Sequence, residues 1–74
     1  MIKLRVLCSK GDEEINCQSI TEAEEILAKV ELGEVEGIDK GHYYIIDKAT
    51  NQLVGKREIQ EGQMLVVVPV IAGG

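Results

Sequence analysis

The stretch Met64-Leu65-Val66-Val67-Val68-Pro69-Val70-Ile71-Ala72-Gly73-Gly74 contains the most hydrophobic run of the sequence and its only proline. Both phases of a two-residue period are apolar over Met64 to Val68, so this segment reads as an interior strand flanked by neighbours rather than an edge. Pro69 has no backbone donor, which ends the ladder and holds the chain extended. Five residues remain after it. At about 3.3 Å each they span roughly 16 Å, enough to enter a cleft on another protein. The sequence therefore divides into a folded domain over residues 1–69 and a flexible tail over 70–74.

An interior strand needs partners, and the N-terminus supplies one. In Ile2-Lys3-Leu4-Arg5-Val6-Leu7-Cys8 the apolar positions 2, 4, 6 and 8 alternate with polar ones, apart from Leu7, which marks a strand with one buried face. Ser9-Lys10-Gly11-Asp12 carries turn chemistry, and Glu14-Ile15-Asn16-Cys17-Gln18 resumes the alternation with Ile15 and Cys17 inward, so a hairpin is expected. Thr21 followed by Glu24 predicts a helix start, because the two side chains can satisfy each other's orphan backbone donors. Ala23, Ile26, Leu27 and Val30 form one stripe of a 3.6-residue period, and Gly33 permits a left-handed stop. This helix is too short to be stable alone and must pack on the sheet.

The segment from Gly33 to Gly41 holds three glycines and reads as a loop. His42 to Asp47 has strand propensity, residues 48–52 turn, and Leu53-Val54 is a short return strand. Residues 56–62 are polar around one apolar anchor, Ile59. If the last strand lies beside the first, the two run parallel. The fold class is then α+β: a roll of the β-grasp kind, with a mixed four- to five-stranded sheet and one helix on one face.

At 74 residues and 8.1 kDa the chain is one small domain, with a thin core and no room for a large enclosed active site. Trp and Phe are absent and only Tyr43 and Tyr44 are aromatic, so nucleobase stacking platforms are missing. With a net charge of −5 as well, nucleic acid is excluded as a direct partner. No apolar run approaches a membrane span and the N-terminus does not read as a signal peptide, so no membrane association and a cytoplasmic location are expected. Two cysteines at this spacing make neither a disulfide scaffold nor a CxxC site; Cys8 and Cys17 read as inward-facing structural thiols, with a reactive thiol as the other reading.

His42 is the only histidine. No metal-ligand set or nucleophile-base arrangement surrounds it in sequence, so catalytic and metal sites are expected to be absent. Nine acids lie between Asp12 and Glu36 against Lys29 alone, a local −8 that leaves +3 for the rest of the −5 total. Such a face can simply keep the domain soluble. It can also steer encounter with a basic groove on a partner.

The tail has its own chemistry. A terminal carboxylate is ionised at neutral pH and is a poor electrophile; adenylation by ATP gives it a leaving group, and a glycine acyl carbon is the least hindered target for an incoming sulfur or amine. Gly73 and Gly74 suit an end that is itself the reactive group. A frayed glycine terminus without a task is the alternative.

Element order and length over the whole chain, and above all the run from Glu61 through the Gly62 turn, the apolar strand and Pro69 to Gly73-Gly74, resemble the ubiquitin-like sulfur carriers, the family of the molybdopterin synthase small subunit and the thiamine sulfur carrier. The sequence departs from the family's pattern at Gln63, where an acid is common, and in having one proline rather than a pair. The resemblance implies that Gly74 is adenylated by a ubiquitin-activating-like enzyme using ATP and converted to a thiocarboxylate. A sulfur donor and a sulfur-accepting synthase complete the partners. It further implies that Gly73, Ala72, Ile71 and Val70 are recognised in the partner's channel, and that the protein is a cosubstrate rather than an enzyme and binds no cofactor itself. The acceptor, whether pterin, thiazole precursor or transfer RNA, stays open. A modifier joined through Gly74 to lysines is the alternative, and a non-covalent interaction domain the second. Leu7, Tyr44, Ile46 and Val67 are the candidate docking patch, on the expectation that they share the outer sheet face.

Overall fold

A computed structural model describes residues 1–8, 11–38 and 40–70. Its elements are β1 (Ile2–Cys8), β2 (Gly11–Cys17), α1 (Ile20–Leu32), β3 (Tyr43–Asp47), β4 (Gln52–Leu53), a 3-10 turn (Lys56–Glu58) and β5 (Met64–Pro69). The strands form one mixed sheet in the order β2-β1-β5-β3-β4. β1 and β5 pair in parallel, Leu4 opposite Leu65 and Val6 opposite Val67, and the other pairings are antiparallel. One helix packs on one face. The fold is α+β with β5 at the centre of the sheet, where its doubly apolar pattern predicts it.

The core lies between that face and α1. Ile2, Leu4 and Val6 of β1, Leu65 and Val67 of β5 and Cys17 of β2 are fully buried, and Ala23, Leu27 and Val30 of α1 close over them. The helix stripe predicted from spacing is thus the one that packs, with Ile26 at its margin. Gly33 ends the helix at φ 75°, its N–H donating to the Val30 carbonyl at 3.1 Å while the Glu34 N–H reaches the Lys29 carbonyl at 2.9 Å. A left-handed residue that turns two N–H groups back onto the last carbonyls is a glycine's task.

Three expectations need correction. The helix starts two residues early: Ser19, not Thr21, caps it, its Oγ accepting from the Glu22 N–H at 3.2 Å. Ser19-x-x-Glu22 and Thr21-x-x-Glu24 satisfy the same pattern, and the exposed Ile20 hides the true start from a reading based on apolar spacing. The return strand is Gln52–Leu53 rather than Leu53-Val54. Cys8 keeps the inward phase of β1 but sits at the strand end and is only half-buried, whereas Cys17 is fully buried. The glycine-rich segment after α1 is a loop as expected, and it also adds to the core, since Ile38 is buried and Val35 packs against it.

Between the 3-10 turn and β5 the chain is pinned from both sides. Ile59 is buried. Gln63 accepts from the Gln60 N–H at 2.7 Å through Oε1 and donates to Asp47 Oδ2 at 3.0 Å through Nε2. Its carbonyl accepts from the Lys3 N–H at 3.1 Å, and the Met64 carbonyl accepts from the Lys48 N–H at 2.9 Å. Gln63 thus ties the start of β5 to the end of β3.

Candidate functional site

The root of the tail comes first. β3 and β5 pair as far as Tyr43 opposite Pro69, and one further bond carries the chain outward: the Val70 N–H donates to the His42 carbonyl at 2.9 Å. Tyr43 and Pro69 form a non-hydrogen-bonded pair of this antiparallel ladder, so the donor that proline lacks is not one that would face β3, and Val70 makes the next bond. Val70 is exposed. Ile71, Ala72, Gly73 and Gly74 lie outside the described residues. His42 is itself exposed and contributes its backbone oxygen here.

The outer face of the sheet, opposite α1, is the second region. Side chains alternate along a strand, so Lys3, Arg5 and Leu7 of β1, Met64, Val66 and Val68 of β5, and Tyr44 and Ile46 of β3 all point outward. The cross-strand register draws one row over the whole sheet: Glu14, Arg5, Val66, Ile46 and Leu53. At its β2 end the row is ionic. Arg5 lies 3.2 Å from Glu14 and 3.8 Å from Asp12, and Lys3 lies 4.0 Å from Glu14. At its β4 end it is apolar, with Tyr44 53% and Leu53 69% exposed. A groove of about 350 Å³ between Tyr44, Leu53 and Lys56 borders that end.

Of the patch proposed from sequence, Leu7, Tyr44 and Ile46 share this face. Val67 does not: it is fully buried against α1, because Ile45 and Val6, its register partners, both belong to the inner phase. Val66 and Val68 take the outward positions beside it. Leu53 and Met64 complete the apolar surface and were not foreseen. The signal for Leu53 was its register with Ile46, which a two-residue strand does not announce in sequence.

The acids of residues 12–36 are mostly exposed, on β2, α1 and the segment after it. The Cys8 thiol donates to the Gly11 carbonyl at 2.7 Å and lies 3.5 Å from the Gly37 carbonyl. Burial pushes the Cys17 thiol above its usual pKa, and the nearby Glu22 charge adds to the rise. Among the described residues no three His, Cys, Asp or Glu side chains gather as a metal could require, and no helix is long and apolar enough to cross a membrane. Compared with protein-family models, with curated proteins and with solved structures, the chain finds no match in any of the three.

Proposed function

We propose that this protein is a β-grasp sulfur carrier whose working group is the Gly74 carboxylate. The observation that carries the reading is the root of the tail. The central strand ends at a proline, and the Val70–His42 bond is the last pairing along it among the described residues, with Ile71-Ala72-Gly73-Gly74 following in sequence. The order of five strands and one helix, with the first and last strands parallel and adjacent, supports the β-grasp assignment.

In this reading a partner enzyme binds the tail along Val70, Ile71 and Ala72. A Gly74 carboxylate oxygen attacks the α-phosphorus of ATP, and pyrophosphate leaves. A sulfide-equivalent sulfur from the donor then attacks the carbonyl carbon, AMP leaves with the bonding pair, and a thiocarboxylate remains. Gly73 keeps the approach to that carbon free of side chains. The body contributes rigidity and an apolar outer surface on Leu7, Tyr44 and Ile46, which suits docking to the activating enzyme and then to the sulfur-accepting synthase.

Intact-mass analysis of protein isolated from its native cells tests this: a fraction heavier by the exchange of one oxygen for sulfur is expected, and carboxylate alone overturns the proposal. Deleting Gly73 and Gly74 should leave folding unchanged, since two terminal residues without side chains have little to bury, while abolishing ATP-dependent activation. Higher-mass conjugates that survive reducing denaturation would instead identify a protein modifier.

A further inference from the structure

The outer face holds a hollow of about 160 Å³ walled by Lys3, Arg5, Lys48 and Glu14, with Met64 and Val66 as its floor. Three cations face one carboxylate there. Arg5 shares its charge between Glu14 and Asp12, and the Lys3 contact to Glu14 is long at 4.0 Å. Lys48, exposed beyond the end of β3, has no ion pair among the described residues. In a chain of net charge −5, this is a concavity of positive excess, with Lys48 as the cation that no carboxylate among the described residues pairs, and a concave surface concentrates that excess on whatever enters it.

The floor decides what fits. Met64 and Val66 are apolar, and Val66 continues through Ile46 to Leu53 across the sheet. A free anion would satisfy the cations and leave that surface wet. A protein segment carrying a carboxylate beside apolar side chains covers both. We infer that the hollow between β1, β5 and the end of β3 receives a Glu or Asp side chain of a partner protein, whose neighbouring apolar residues rest on Met64 and Val66. This site is separate from the tail and does not depend on sulfur chemistry.

The test is an amide-resolved NMR titration of the full chain with three probes: a capped hexapeptide of alternating Leu and Glu, its Leu–Gln counterpart, and inorganic phosphate. The Glu peptide is expected to give saturable shifts centred on Lys3, Arg5, Lys48, Met64 and Val66. The Gln peptide and the Lys48→Glu variant should each weaken it by roughly fivefold, the scale of one exposed charge pair. Arg57→Glu, a charge-matched change outside the hollow, should leave the affinity within twofold once the overall charge is matched by salt. Lys48 is exposed, so a native spectrum for its variant is expected. Shifts scattered over the other lysines, no saturation, or equal affinity for both peptides overturns the inference. Phosphate binding at the same amides as tightly as the Glu peptide overturns it in favour of a small-anion site.

Discussion

Val66, Val67 and Val68 are three identical residues in a row, yet they occupy two different environments. Val67 is fully buried under α1, and its neighbours are half-exposed on the opposite face. What separates them is register. Val67 stands level with Val6 and Ile45, which face the helix, while Val66 stands level with Arg5 and Ile46, which do not. The composition of a central strand therefore says that both faces are apolar, but its neighbours decide which face is core. The inner face has a cover supplied by α1, the outer face has none among the described residues, and the two should respond to mutation accordingly.

The largest contrast is expected on β5. Leu65→Ala removes a fully buried side chain from beneath α1 and should cost about 2–5 kcal/mol, the range for such cavities. Val66→Ala, one position away on the half-exposed face, should cost roughly 1 kcal/mol or less. Urea unfolding of the two variants measures the difference, and similar losses would break the distinction between the faces.

The cover of the inner face can be sharpened next. Since Ser19 Oγ accepts the Glu22 N–H, Ser19→Ala should destabilise by about 1 kcal/mol. Thr21→Ala should change stability by no more than about 0.5 kcal/mol, because Thr21 is exposed within the first turn and is not the cap. The reverse order would return the helix start to the position the sequence alone suggests.

These pairs also mark how far the sequence could be read. Alternation in Ile2 to Cys8, the helix stripe, the Gly33 stop and the central place of the last strand were all legible, because each rests on a local period or a single conformational preference. Val67 was assigned to the wrong face since three valines carry no phase. Ser19 was passed over because two overlapping capping patterns compete and Ile20 is apolar yet exposed. Val35 and Ile38 were lost among glycines and charges, though they close one end of the core. The hollow walled by Lys3, Arg5 and Lys48 joins residues more than forty positions apart in the chain, and only strand pairing brings them together.

The smallest effect concerns the edge of the inner face, where Cys17 is fully buried and Cys8 is half-buried. Burial, then the Glu22 charge, holds the Cys17 thiol protonated to higher pH than in the unfolded chain. The folded state therefore keeps a proton that the unfolded state releases. This stabilisation is neither gained nor lost at neutral pH, where both states are thiols. It begins to fail as pH rises through the unfolded thiol's ordinary value and continues to fall until the folded thiol also ionises. Cys17→Ala, which costs a small cavity at every pH, should lack that alkaline decline, so its stability deficit relative to the parent narrows as pH increases. Glu22→Gln should reduce the decline only in part, since the charge is the lesser cause. Alkylation adds a kinetic reading of the same contrast: Cys8 should react in the native protein, and Cys17 only at the rate at which the β2–α1 corner opens. Equal reaction rates would show that the covered face shields Cys8 at the strand end as well as it shields Cys17.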